Sequence, residues 1–90
     1  RKKCRGEKLM ERFEKLGFFC VEPSKTDKTY YFVKHIEKGN HTLQVWITLK
    51  KVPLVTYRYD HKLSALTKIL EDTIGSFLGD LGYESYTVEE

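Results

Sequence analysis

Apolar side chains recur at every second position through the middle of the chain, and at every third or fourth position on either side of it. The clearest stretch is Leu43, Val45, Ile47 and Leu49, with Thr42, Gln44, Thr48 and Lys50 falling between and beside them. Period-two alternation sends successive side chains to opposite faces of a strand, so one face is buried and the other wet. Upstream, Gly39-Asn40 has the residue types that tolerate positive φ in a two-residue hairpin turn. That turn sets Ile36 opposite Leu43, Phe32 opposite Ile47 and Tyr30 opposite Leu49, with Lys34 opposite Val45 as the polar exception. Downstream, Lys51-Val52-Pro53 makes a short connection and sets Val55 opposite Leu49, Tyr57 opposite Ile47 and Tyr59 opposite Val45. A slip by one residue would turn all of these side chains to the wrong face.

The flanks follow helical spacing. Leu9, Phe13 and Leu16 stand at i, i+4, i+7, with Met10 widening the stripe, and Gly17 is a natural stop because a helix C-terminal cap favours a left-handed residue. A second helix is expected over roughly Lys62 to Leu81, with Leu63, Leu66, Leu70, Ile74, Phe77 and Leu81 as its stripe and Ile69 and Leu78 beside it. Asp60 is its candidate N-cap, Gly82 its stop, and Gly75 and Gly79 weaken its last turns. Phe18 to Glu22, closed by Pro23, is short and apolar enough for another strand, with Phe19 and Val21 on one side and Phe18 and Cys20 on the other. Leu16-Gly17-Phe18 and Leu81-Gly82-Tyr83 repeat one helix-stop chemistry and do not amount to an internal duplication.

Together these elements predict one small α+β domain over residues 1–90. It has an N-terminal helix, an antiparallel sheet of three to four strands and a long C-terminal helix, in the order α-β-β-β-β-α. Residues 1–7 form a basic N-terminal extension, and residues 83–90 either a final edge strand or an acidic tail. Ninety residues suffice for one modest core. That order is loosely similar to double-stranded-RNA-binding domains, but the similarity stops at topology. No Gly-Pro loop joins the strands, and His61-Lys62-Leu63-Ser64-Ala65 stands where a Lys-Lys-x-Ala-Lys run would open the second helix.

Charge changes the picture in one respect. The net charge of +3 conceals a gradient: residues 71–90 carry six acids and no base, which leaves the remainder of the chain at +9. Such a body suits a polyanion or an acidic protein, though surface lysines serve solubility as well. There is no apolar run near the ~20 residues that span a membrane and no signal-peptide pattern, so a cytoplasmic location is expected. The chain does not open on Met, which fits a fragment or a trimmed product.

Catalytic and metal chemistry find little to work with. Ser24, Ser64, Ser76 and Ser85 stand in no nucleophile-elbow context, no phosphate-cradling glycine loop is present, and Glu71-Asp72, adjacent on a helix, has the look of a solvated surface. Asp60 and His61 could form an acid-base pair, but capping explains Asp60 more simply. His35, His41 and His61 are scattered, and Cys4 and Cys20 lie in no paired motif, so no metal, cofactor or disulfide framework is expected. The candidate site is the outer sheet face. The predicted registers gather Tyr31, Val33, His35, Trp46, Thr48, Thr56 and Arg58 there, with Arg58 beside Trp46, and Lys34, Lys50 and Lys51 as a neighbouring basic patch. If nothing covers it, this is an exposed aromatic patch of the kind that marks interaction sites. The expected function is a small non-catalytic interaction module, with a protein partner or a second copy on that face. The alternative is a nucleic-acid-binding module that stacks bases on Trp46 and Tyr31.

Overall fold

The computed structural model describes residues 4–23, 28–36, 41–59 and 64–89, with backbone alone at Ile36 and at 64–67. Helix α1 (Arg5–Lys15) leads into β1 (Phe19–Val21), then β2 (Thr29–Ile36), β3 (His41–Thr48) and β4 (Leu54–Tyr59). Helix α2 (Ser64–Asp80) and a short β5 (Thr87–Glu89) follow. The α+β expectation holds. The sheet has five strands in the order β1-β2-β3-β4-β5. It is mixed, because β5 lies parallel to β4, and α2 is the crossover that parallel neighbours require. The last segment is therefore an edge strand.

The predicted strands are present with their faces as expected, but both hairpins sit two residues away from the predicted register. Phe32 pairs with Val45, Tyr30 with Ile47 and Lys34 with Leu43. In the next hairpin Val55 pairs with Ile47, Tyr57 with Val45 and Tyr59 with Leu43. A shift of two preserves the face of every side chain while changing its cross-strand partner, so apolar patterning alone cannot detect it. With the first shift Ile36 pairs with His41, so four residues separate this pair where the expected register closed on a two-residue turn; the Gly39-Asn40 turn and the Asp60 cap lie outside the described residues.

Both helices pack on one face. The core joins Leu9 and Phe13 of α1 and Phe18 beyond it to Phe32, Leu43, Val45, Ile47 and Val55 of the sheet and Leu70, Ile74, Leu78 and Leu81 of α2 and its exit. Phe13 is its hub, stacked on Phe32 with ring centroids 4.0 Å apart and edge-on to Phe18 at 5.1 Å and Phe77 at 5.5 Å. The stripe of α2 is thus Leu70, Ile74 and Leu78. Phe77 flanks it half-buried and Ile69 is exposed, while the side chains of Leu63 and Leu66 are outside the described residues. Leu16 also leaves the α1 stripe for solvent, since the helix ends before it.

The two helix stops are copies of one another. Gly17 and Gly82 have φ of 89° and 96°. The Gly17 amide donates to the Glu14 carbonyl and the Phe18 amide to that of Phe13, as Gly82 does to Gly79 and Tyr83 to Leu78. This is the paired 5→2 and 6→1 bonding of a Schellman cap, and only glycine takes that φ without strain.

Lys34, the exception in the apolar face, is explained by the first of these stops. Its Nζ donates to the Leu16 carbonyl at 2.7 Å and lies 5.7 Å from the Phe18 ring centroid. A cation at the C-terminal end of a helix meets carbonyls that have no intrahelical partner and the negative end of the dipole.

Candidate functional site: the outer sheet face

The face opposite the helices is built from alternate residues of five strands. One row across the sheet runs Val21, Tyr31, Trp46, Thr56 and Glu89; the next runs Phe19, Val33, Gln44 and Arg58. His35 pairs with Thr42 at one end, and Thr29, Thr48, Leu54 and Thr87 make the row at the other. None of these side chains is buried, whereas Phe32, Val45, Ile47 and Val55, which alternate with them, are fully enclosed. Among the described residues, no helix or loop lies over this face.

The apolar part is continuous. Phe19 is 65% exposed and Val21 52%. Both adjoin Tyr31 and Val33, and the Tyr31 and Trp46 rings meet at 5.2 Å with a 32° tilt. The patch is held in place by polar bonds within its own plane. Gln44 Nε2 donates to the Tyr31 hydroxyl oxygen at 2.8 Å, the Thr29 and Thr48 hydroxyls are 2.7 Å apart, and the Phe19 and His35 rings meet edge-on at 6.4 Å. These cross-strand contacts hold Tyr31 and the two threonines in defined positions against their neighbours.

The structure brings together Tyr31, Val33, His35, Trp46, Thr48, Thr56 and Arg58 on one face, as expected, but with a different neighbour for Trp46. The two-residue shift puts Tyr31 and Thr56 beside it and moves Arg58 next to Gln44. The basic patch is not assembled there. Lys34 points to the helix side, and Lys50 and Lys51 line an open cavity at the end of the sheet with Arg5, Lys28 and Tyr83. Phe19 and Val21 are the site residues that sequence reasoning left out. Their alternation was legible, but the pairing of β1 with β2 that joins them to Tyr31 was not.

Two groups with reactive or acidic chemistry lie off this face. Burial, and secondarily the charge of Glu14, pushes the Cys20 thiol up to about 11, so at neutral pH it is protonated and a weak nucleophile. Glu71 is anchored, not simply solvated: the Tyr57 hydroxyl donates to its carboxylate, and the Tyr86 hydroxyl to its backbone carbonyl at 3.2 Å. Burial, then the charges of Glu71 and Asp72, raise the Tyr86 pKa. Among the described residues, no three His, Cys, Asp or Glu side chains stand close enough to hold a metal ion, and no helix is long and apolar enough to cross a membrane. No protein family, curated protein or solved structure was found to match the chain.

Proposed function

We propose that the protein is a small non-catalytic interaction module that works through its outer sheet face, and that the first occupant of that face is a second copy of the chain. The observation that carries this is the apolar patch of Phe19, Val21, Tyr31, Val33 and Trp46, none of it buried and none of it covered by another element among the described residues. Its composition is that of an interface centre, rich in aromatic and β-branched residues and poor in charge. Among the described residues, Arg58 and Glu89 are the only Lys, Arg, Asp or Glu at strand positions of this face, so the face is close to neutral on a body that is strongly basic. A neutral, flat face can meet its own copy across a two-fold axis without like-charge repulsion, and two twisted sheets pack face to face readily. The edges offer less, since β1 and β5 are three residues each and short edges give little for strand addition.

From strand spacings of ~4.8 Å and rises of ~3.3 Å per residue, the face measures on the order of 500 Å² per copy. That is below the ~800 Å² per partner of a standard interface and puts the complex in the weak, reversible class. Sedimentation equilibrium from micromolar to millimolar protein is expected to show a monomer–dimer equilibrium. Phe19→Lys is expected to weaken it at least tenfold at unchanged melting temperature, because Phe19 is already exposed. A monomer throughout, with the variant indistinguishable from the parent, would contradict the proposal.

Nucleic-acid binding on this face has less in its support, because among the described residues Arg58 is the only Lys or Arg there to meet phosphates.

A further inference from the structure

The open cavity at the end of the sheet collects positive charge from segments far apart in sequence. It has a volume of about 540 Å³ and takes Arg5 from the start of α1, Lys28 from the approach to β2, Lys50 and Lys51 from the β3–β4 connection, and Tyr83 and Glu84 from the turn after α2. Among the described lining residues, four cations face one carboxylate. Among the described residues none of the four makes an ion pair, and the ammonium groups of Lys28, Lys50 and Lys51 have no acceptor. The Arg5 guanidinium lies 4.7 Å from the Tyr83 ring centroid, a cation–π contact at the cavity wall that uses the face of the guanidinium and none of its N–H donors. Arg5 also sits in the first turn of α1, where the positive end of the helix dipole disfavours a cation. Folding has brought like charges together and put one of them against a dipole. An anion in the cavity would relieve both.

We infer that this cavity is a binding site for a multiply charged phosphate group. A planar guanidinium and mobile lysines are the usual donors to phosphate oxygens, the first by a bidentate fork and the others as point charges. Leu49, Val52 and Tyr83 line the same space and offer an apolar wall to whatever carries the phosphate. Two sources have this chemistry, a small phosphorylated molecule and the backbone of a nucleic acid. The site is separate from the outer sheet face and does not depend on what occupies that face.

Titration calorimetry at low salt with inorganic pyrophosphate, and in parallel with a single-stranded DNA decamer, tests this. The double variant Lys50→Glu/Lys51→Glu reverses two exposed charges in a connection outside the core, and Arg5→Gln removes the fork. Lys15→Glu/Lys68→Glu makes the same change in net charge on exposed residues that do not line the cavity. Binding of either probe is expected to fall at least tenfold in the cavity variants and less than threefold in the control. Pyrophosphate binding identifies a small phosphorylated ligand as a sufficient source; binding of the decamer alone assigns the site to a nucleic-acid backbone. No binding of either probe by the parent protein, or an equal loss in the control variant, would overturn the inference.

Discussion

Gly6 is buried in the first turn of α1 because the Tyr30 ring occupies the space where a side chain would be. A β-carbon at Gly6 would overlap the Tyr30 hydroxyl and ring, so α1 approaches the sheet at this point only as glycine. Gly75 backs closely onto Tyr86, where an added β-carbon would lie 3.3 Å from the hydroxyl, tighter than ordinary contact, whereas Gly79 faces open space. These three helical glycines therefore differ in kind. Gly6→Ala is expected to destabilise the fold by about 1–3 kcal/mol through overpacking. Gly79→Ala is expected to stabilise it by up to ~1 kcal/mol, because alanine has the higher helix propensity and meets nothing. Denaturant titration of the two variants reads both signs. Sequence could not have separated them. The weakening effect of Gly75 and Gly79 follows from propensity alone, but which glycine has a neighbour depends on tyrosines 24 and 11 residues further along from Gly6 and Gly75.

At the scale of elements, α1 is tied to the sheet by its end as well as by its apolar stripe. Lys34 is half-buried on the helix side of β2 and binds the Leu16 carbonyl, closing the C-terminus of α1 from a different element. Replacing it by a chain of similar length without charge, Lys34→Met, keeps the apolar stem and removes the bond, and is expected to cost about 1 kcal/mol by thermal melting. The Arg12–Asp80 pair, 2.6 Å between the two helices, is exposed at both partners and contributes little by comparison. Element boundaries and faces were largely legible: both glycine stops, the inner residues Leu43, Val45 and Ile47, and the helix stripe around Leu70 and Ile74 follow from period and turn chemistry. The register was not. Moving both hairpins by two residues exchanges Val33 for Tyr31 and Arg58 for Thr56 beside Trp46, and period-two patterning is blind to that exchange. Nor was the parallel docking of β5 on β4, since three residues carry no directional signal and the pairing depends on where α2 returns the chain.

Seen as a whole, the molecule is one-sided. Two helices and one face of the sheet enclose the core, and among the described residues nothing covers the other face, where Phe19 and Val21 adjoin the half-buried Tyr31 and Trp46. A small domain that buries one sheet face has met its folding requirement, so the aromatic content of the other face calls for a different cause. The basic residues divide differently from what sequence implied. Lys50 and Lys51 join Arg5 and Lys28 at the end of the sheet, a grouping of segments that no local motif announces. On the proposal above, the outer face is open in the monomer and closes on a second copy. Trp46 is the only tryptophan and lies in the middle of that face, so it reports on this directly. The measurement is acrylamide quenching of its fluorescence at low micromolar and at near-millimolar protein. Efficient quenching when dilute, protection when concentrated, and loss of that protection in Phe19→Lys are the expected results; a quenching constant that stays the same across the whole concentration range would contradict the account.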